Sequence, residues 1–243
     1  MTSRTVLITG AAQNIGAAIA RDLHAHGMDV VLHYNRSQAD AQALTAELNR
    51  KRADSACAVR GDLLDFASYG PVIQQTLAFK GQLDVLINNA SSFFPTPMGK
   101  ISQQDWQELI AVNMQAPLFL AQEAAPSLAE RSGCIINLTD IHAERPLLDY
   151  AVYSAAKAGL VMLTRALARE LAPAIRVNGI APGAILWPEN MPPAEQQHIL
   201  QQVSLQRPGE PGDISKAVRY LVDDADYTTG QILTLDGGRT LYS

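Results

Sequence analysis

Tyr153 and Lys157 are the residues of this sequence whose types and spacing most directly suggest chemistry. They are four residues apart in the stretch 150–171, which has the pattern of a long helix, so their side chains share one helix face. An ammonium beside a phenol favours the phenolate, and Lys157 is therefore expected to lower the pKa of Tyr153 into the range of proton exchange near neutral pH. A solvent-exposed pair at this spacing is the alternative, and the neighbouring elements must decide between the two.

Asn113 and Asp140 are placed to join this pair. Asn113 interrupts an apolar helical run, so it is either a hydrogen-bonded core amide or part of a site. Asp140 directly follows an apolar strand pattern and precedes Tyr153 by thirteen residues. A strand end and the face of the next helix meet at one edge of a sheet, which predicts that Asp140 and Tyr153 lie close together.

A glycine-rich segment, Thr-Gly-Ala-Ala-Gln-Asn-Ile-Gly over 9–16, follows the first strand pattern and opens the first helix pattern. Gly10 suits the tight turn, and Gly16 lets the start of the helix come close to a pyrophosphate. The N–H groups and the dipole at a helix N-terminus favour that anion. A purely structural turn is the alternative, but the strand–turn–helix context predicts a dinucleotide site.

The end of the second strand indicates which dinucleotide binds. NAD would call for an acidic residue that accepts from the ribose 2′-hydroxyl, and residues 33–37 (His-Tyr-Asn-Arg-Ser) contain none. Arg36 and Ser37 are suited to a 2′-phosphate, which predicts NADP(H); a solvated loop charge at Arg36 is the alternative. Asp62 is placed to meet the adenine and the run 88–90 to pass beneath its ribose, unless both merely form turns.

Seven short apolar runs alternate with segments that have apolar residues at helical spacing. This alternation predicts an α/β protein with a Rossmann-type, doubly wound parallel sheet in a three-layer arrangement. A length of 243 residues suits a single domain over 1–243. The predicted strands are 6–8, 29–33, 56–59, 84–88, 134–138, 176–180 and 231–235.

Residues 183–211 break the alternation. Six of the 13 prolines lie at or near this segment: Pro182, Pro188, Pro192, Pro193, Pro208 and Pro211. Because the segment leaves the carboxyl edge of the sheet, we expect it to cover a substrate and to contain a short helix around 194–202. A plain surface connection is the alternative, which the length of the segment disfavours.

Composition limits the other possibilities. The net charge of −5 and the lack of a dense Lys/Arg run argue against nucleic acid, and no apolar stretch is long enough to cross a membrane. We expect no secretory signal, no metal site, buried and reduced thiols at Cys57 and Cys134, and a cytoplasmic protein.

Together these motifs resemble the short-chain dehydrogenase/reductase family over the whole chain. The resemblance lies in Thr9-Gly10 with Gly16, Asn88-Asn89-Ala90, Asn113, Tyr153 with Lys157, Pro182-Gly183 and Asp236-Gly237-Gly238. In that family the tyrosine donates a proton, the lysine lowers its pKa, and the asparagine helps to hold a water relay. The resemblance also implies a homotetramer joined through the long helices that carry Asn113 and Tyr153.

Asp140 occupies the place where most members of that family have a serine. A serine hydroxyl suits a carbonyl oxygen, whereas a carboxyl group suits an amino-pyrimidine N–H or a proton relay to an imine nitrogen. The pteridine reductase branch is similar at Asp140 and in the runs 32–37, 88–97, 146–150 and 191–193. That similarity implies that Phe93 stacks on a pterin against the nicotinamide and that Ser91 touches both.

The resemblance therefore implies NADPH-dependent reduction of a C=N bond in a pterin or a dihydrofolate. Dihydrofolate, dihydrobiopterin, dihydromonapterin and an oxidised pterin all stay open as the small-molecule substrate. The implied catalytic residues are Asp140, Tyr153, Lys157 and Asn113, and the implied substrate-binding residues are Ser91, Phe93, Asp140 and Tyr153. The implied cofactor-binding residues are Gly10, Asn14, Ile15, Gly16, Tyr34, Asn35, Arg36, Ser37, Asp62, Leu63, Asn89, Ala90, Ser91, Tyr153, Lys157, Pro182 and Gly183.

Asn14 is a second departure, because pteridine reductases tend to carry a basic residue there. Asparagine can donate a hydrogen bond but adds no charge, so the change bears on the strength of cofactor binding and the range of pterins accepted more than on the reaction itself. A carbonyl reductase for a 3-oxoacyl thioester, a sugar or a small ketone would use the same fold, but Asp140 disfavours it. A non-catalytic NADP-binding protein is a third possibility, which the joint presence of Asn113, Tyr153 and Lys157 disfavours.

Overall fold

The computed structural model describes residues 3–187 and 191–242. Its strands are β1 (Thr5–Ile8), β2 (Asp29–Tyr34), β3 (Ala56–Arg60), β4 (Val85–Asn88), β5 (Cys134–Leu138), β6 (Arg176–Pro182) and β7 (Ile232–Leu235). They form one parallel sheet in the order β3-β2-β1-β4-β5-β6-β7. The order reverses between the hydrogen-bonded neighbours β1 and β4. Such a reversal opens a crevice at the carboxyl ends of the strands, where ligands bind in this architecture.

Helices cover both faces of the sheet, as the alternation of elements requires. Along β1, Val6 and Ile8 pack into the helical layer on one face of the sheet, whereas Leu7 packs into the layer on the other face. The prediction of a three-layer, doubly wound α/β fold is therefore confirmed. The helices are α1 (Asn14–Ala25), α2 (Gln38–Lys51), α3 (Tyr69–Lys80), α4 (Gln103–Ile110), α5 (Ala116–Glu130), α6 (Ala151–Glu170), α7 (Pro193–Gln201) and α8 (Pro211–Asp223).

The predicted strands, and the helices predicted over 150–171 and around 194–202, differ from the observed ones only at their ends. The strand predicted over 84–88 begins at Val85, and the one predicted over 176–180 continues to Pro182. The helix predicted over 150–171 is α6, and the short helix expected around 194–202 is α7. Apolar periodicity locates an element well, but the last residue depends on local capping.

The helical run that carries Asn113 is not one regular helix. It begins as α4 with a capping box, in which the Ser102 hydroxyl accepts from the N–H of Asp105 and the Asp105 carboxylate accepts from the N–H of Ser102. A π-helical turn, Ala111–Gln115, then separates α4 from α5. Turns of this kind insert an extra residue into a helix and often occur at functional sites.

The segment 183–211 leaves the carboxyl end of β6 and returns to the start of α8. Its two ends are tied together because the Gly209 N–H donates to the Ala184 carbonyl at 2.9 Å. The Leu205 N–H donates to the Gly237 carbonyl at 3.0 Å, which holds the segment against the turn after β7. Pro188 lies outside the described residues, and the covering role of the segment stays a prediction.

Three further expectations concern membrane spans, metal ligands and the two cysteines. In the part of the chain that the structure describes, no helix has the length and apolar composition that a membrane span requires. Within the same residues, no group of three or more potential metal ligands is found. Cys57 and Cys134 are free thiols, and burial raises the pKa of each to about 11. Cys57 is only half-buried, against the expectation of full burial, because it lies on the edge strand β3.

Candidate active site

The glycine-rich turn is held against the loop after β4, across the point where the strand order reverses. The side chain of Asn89 donates to the carbonyls of Thr9 and Gly10 at 2.9 and 3.0 Å. In return, the Thr9 hydroxyl accepts the N–H groups of Asn89 and Ala90 at 2.9 and 3.0 Å. This double exchange fixes the distance between the two loops that flank the crevice.

Gly10 and Gly16 allow the turn to pack this closely. Gly10 has a φ of +60°, and an added Cβ would lie 3.0 Å from the Cα of Ala90. A Cβ on Gly16 would overlap the Gly10 carbonyl oxygen and lie 2.7 Å from the Asn89 amide nitrogen. The predicted need for glycine at both positions is therefore explained by the packing of the two loops against each other.

The N-terminus of α1 faces this turn. Asn14 is its first residue, is exposed, and has a φ of +53°, a left-handed conformation that asparagine tolerates better than most residues. Ile15 packs partly against the core. Among the described residues no side chain caps the helix, which leaves its first N–H groups available to an anion.

The loops after β2 and β3 form the next part of the crevice. Asn35 donates to the Asp62 carboxylate at 3.2 Å, and the same oxygen accepts the N–H of Leu64 at 3.0 Å. The Gly61 N–H donates to the Tyr34 carbonyl at 3.0 Å. Tyr34 and Asn35 thus lie beside Gly61 and Asp62, as the predicted adenosine site requires.

Within these two loops the individual side chains differ in exposure. Arg36 is exposed, and Ser37 precedes α2. Leu63 is buried, and its carbonyl accepts the hydroxyl of Tyr69 at 2.9 Å. Arg36 therefore has the freedom to reach a phosphate at this edge, whereas Leu63 is fixed in the core.

Tyr153, Asp140 and Lys157 meet at the carboxyl end of β5. The Tyr153 hydroxyl donates to Oδ2 of Asp140 at 2.6 Å. The Lys157 ammonium donates to the carbonyl of Leu138 at 2.9 Å and lies 5.7 Å from the centre of the Tyr153 ring. Tyr153 and Lys157 are only 4% and 2% exposed, so the alternative of a solvent-exposed pair is excluded.

The charges around this cluster correct one expectation. Burial raises the pKa of Tyr153, and the charge and hydrogen bond of Asp140 raise it further. Burial also lowers the pKa of Lys157 to about 8, although Asp140 opposes that shift. The prediction that Lys157 brings the pKa of Tyr153 down towards neutrality was therefore wrong for this arrangement, because the nearest charge to the phenol is an anion.

Asn113 lies in the π-helical turn and is completely buried. Its amide nitrogen donates to the carbonyls of Leu109 and Ser92, both at 2.9 Å, and its oxygen accepts the Ser91 hydroxyl at 2.6 Å. Asn113 is thus a satisfied amide that also fixes the loop after β4. Ser91, which the sequence predicts to touch cofactor and substrate, is oriented by this bond.

Phe93 stands at the mouth of the cluster and is 46% exposed. Its ring stacks on Tyr150 at 4.5 Å between centroids and meets the Tyr153 ring edge-on at 4.8 Å. With this exposure Phe93 is not a core residue. Tyr150 was not among the predicted site residues, although its position just before α6 was a usable signal.

Pro182 and Gly183 close the opposite side of the crevice. Pro182 ends β6, and the Gly183 N–H donates to the Leu235 carbonyl at 2.9 Å. A Cβ on Gly183 would lie 2.7 Å from the Cα of Asp236. The sequence motifs around 182 and 236 are therefore in direct backbone contact.

The comparisons with known proteins agree with this architecture. A family model described as enoyl-(acyl carrier protein) reductase matches residues 10–240. The chain is 37% identical to pteridine reductase 1 of Leishmania tarentolae, over 99% of this chain and 97% of that protein. It is 35% identical to a 3-oxoacyl-[acyl-carrier-protein] reductase of Synechocystis, over 100% and 99%. It is 34% identical to 3beta-hydroxysteroid dehydrogenase 1 of Eggerthella lenta, over 100% and 95%.

The relatives differ in the substrates that their names state, but the matches extend over nearly the whole chain. The matched region includes the glycine-rich turn, the Tyr153–Lys157 helix and the turn after β7. This chain therefore belongs to the short-chain dehydrogenase/reductase family of oxidoreductases.

Proposed function

We propose that this oxidoreductase uses NADPH to reduce a C=N bond in a pterin or a dihydrofolate. The observation that carries the proposal is the hydrogen bond of 2.6 Å from Tyr153 to Asp140. It places a carboxylate and a phenol side by side, below the exposed ring of Phe93. A pteridine reductase among the similar proteins is consistent with this choice.

The cofactor site fits a dinucleotide phosphate. Gly16 has no side chain, which leaves open the space beside the Gly10 carbonyl that a Cβ would fill. The N-terminus of α1 supplies N–H groups for a pyrophosphate. Arg36 and Ser37 would hold the 2′-phosphate, and Asp62 the adenine. When bound, the reduced nicotinamide supplies the hydride. Below pH 8 the buried Lys157 carries a charge with which it would hold the nicotinamide ribose.

The proton would come from Tyr153. Its raised pKa keeps the phenol protonated in the free protein, with the hydrogen directed at Asp140. A pterin amino group would donate to the Asp140 carboxylate, which frees the Tyr153 hydroxyl to protonate the ring nitrogen beside the reduced carbon. Phe93 would cover one face of the flat ring.

A second candidate is reduction of a 3-oxoacyl thioester, because a relative with that activity in its name is 35% identical. Tyr153 would then donate to a carbonyl oxygen. The Asp140 carboxylate occupies the position from which this oxygen would accept the Tyr153 hydrogen bond. Its charge would also repel the negative charge that develops on the carbonyl oxygen. We therefore rank this activity second.

The test follows NADPH oxidation with dihydrofolate, a dihydropterin and an acetoacetyl thioester, using the wild type and Asp140→Ser. We expect the wild type to reduce the pterins and Asp140→Ser to lose most of that activity. Reduction of the thioester alone, or pterin turnover that survives Asp140→Ser, would overturn the proposal. Replacing NADPH by NADH in the same assay tests the preference of the protein for the phosphorylated cofactor.

We also propose that the protein is a cytoplasmic homotetramer assembled through α5 and α6. Met162 on α6 is 60% exposed, and the proposed interface would cover it. Light scattering should then give four times the chain mass of 26.2 kDa. Met162→Glu should reduce that mass, whereas a monomeric wild type would contradict the proposed assembly.

A further inference from the structure

His33 is a buried histidine that contacts the glycine-rich turn directly. It lies near the carboxyl end of β2 and is 2% exposed. Its Nδ1 accepts the N–H of Gly10 at 3.3 Å, and its carbonyl accepts the N–H of Ala11 at 2.9 Å. One residue of β2 therefore fixes two consecutive amides of the turn.

The other side of the imidazole faces the loop after β3. A Cβ on Gly61 would lie 3.1 Å from Nε2, so Gly61 leaves just enough room for the ring. Nε2 is buried, and among the described residues it has no partner with regular hydrogen-bond geometry. The ring therefore separates the turn after β1 from the loop that carries Asp62.

The contact with Gly10 assigns the protonation state of the ring. Since the Gly10 N–H donates to Nδ1, this nitrogen has a free lone pair and the proton sits on Nε2. A second proton on Nδ1 would face the Gly10 N–H and break the contact. Burial lowers the pKa of His33 to about 4, although the backbone of Gly61 and the charge of Asp62, the charged side chain that acts on the ring, both favour the protonated form.

We infer that neutral His33 is a positioning residue of the dinucleotide site, which acts by holding the Gly10 amide and thereby the shape of the phosphate-binding turn. The inference rests on the proposed use of NADPH. It assigns His33 no contact with the cofactor. A residue that only filled the core would affect the stability of the protein but not its affinity for NADPH.

The test compares two substitutions of similar size. His33→Asn keeps an acceptor near the position of Nδ1, whereas His33→Leu fills the space without one. By calorimetric titration of the cofactor-free protein, we expect His33→Leu to bind NADPH about 2- to 12-fold more weakly, the range of one net hydrogen bond. His33→Asn should stay within twofold of the wild type. The KM for NADPH should rise in His33→Leu more than kcat falls.

A second measurement needs no cofactor. Amide hydrogen exchange of Gly10 should be faster in His33→Leu than in the wild type and close to normal in His33→Asn. Unchanged NADPH affinity together with unchanged Gly10 exchange in His33→Leu would overturn the inference. If His33→Leu does not fold, His33→Gln, whose acceptor lies one bond farther out, takes its place with the same expectations. A wild type that fails to bind NADPH would refute the proposed cofactor, while the exchange measurement would still decide the role of His33.

Discussion

The phenolic oxygen of Tyr153 lies 2.6 Å from Oδ2 of Asp140 and donates its hydrogen to that carboxylate. The other oxygen of Asp140 accepts the backbone N–H of His142 at 2.8 Å, so the carboxylate is held from both sides. Burial raises the pKa of Tyr153, and an anion in this position raises it further, so the phenol stays protonated. The pair is thus arranged as a proton donor with a fixed acceptor, and a substrate must compete for that acceptor.

Tyr153→Phe removes the hydroxyl and leaves the ring. Loss of a general acid lowers rates by about 10²- to 10⁴-fold, and we expect kcat to fall within that range. NADPH should still bind, which a fluorescence titration measures. Tyr227→Phe, at a fully exposed residue, is the control and should match the wild type. Full activity of Tyr153→Phe would exclude the phenol as the proton donor.

The buried ammonium of Lys157 predicts a loss of activity at alkaline pH. Its pKa is lowered to about 8, so the side chain is charged below this pH and neutral above it. If the charge holds the nicotinamide ribose, kcat/KM for NADPH should decline as the pH rises through about 8. Lys157→Arg stays charged throughout and should lack this decline, although its altered geometry lowers the rate. A flat pH profile of the wild type between 7 and about 9.5 would contradict the assignment.

Gly16→Ala should abolish tight NADPH binding. The added methyl group would overlap the Gly10 carbonyl and press on the Asn89 side chain, both of which are fixed by hydrogen bonds. We expect the Kd to rise by at least tenfold, with a fall in the melting temperature. Gly212→Ala is the control, because nothing lies within 4 Å of its added Cβ. Equal cofactor affinity in the two variants would argue against a pyrophosphate at this turn.

Arg36→Ala tests the preference for the phosphorylated cofactor. A charge-assisted hydrogen bond contributes about 1.5–3 kcal/mol, so KM for NADPH should rise by about 10- to 150-fold. The KM for NADH should change much less, since NADH has no 2′-phosphate. Arg50→Ala, at an exposed arginine of α2, controls for the loss of one surface charge. If both cofactors weakened equally, Arg36 would not read the 2′-phosphate.

His33 predicts a loss of stability in acid. Its pKa is about 4 in the folded protein and 6.5 in an ordinary environment, so the unfolded chain binds more protons between these values. The free energy of unfolding should therefore fall by about 3 kcal/mol from this residue as the pH drops from 6.5 to 4. Urea unfolding at both pH values measures it. His33→Asn should show a shallower fall, and identical slopes would contradict the prediction.

Much of the fold could be predicted from the sequence because its signals are local. Each strand is a short apolar run, and each helix is a periodic one, so the order of elements and the parallel sheet follow. The carboxyl edge then collects the residues that come directly after strands. Asp140 and Asn89 were predicted at this edge for that reason, and the structure places both there.

Other features depend on contacts between distant parts of the chain. The raised pKa of Tyr153 depends on its burial and on its distance to Asp140, and a spacing of thirteen residues specifies neither. The stacking of Phe93 on Tyr150 joins two loops, and the contact of His33 with Gly10 joins two strand ends. No periodicity or motif reports such pairs, because the residues meet only after the sheet has assembled.

Asn113 lies in the π-helical turn Ala111–Gln115, and the direction of its side chain depends on the number of helical residues that precede it. Successive side chains of a helix are rotated by about 100°, so removing one residue between the Ser102 cap and Asn113 would turn the asparagine away from Ser91. The preceding turn would still be helical, and its composition would hardly change. In this part of the chain, an insertion or deletion of a single residue is therefore more damaging than many substitutions. The number of residues between Ser102 and Asn113 determines whether Asn113 still faces Ser91.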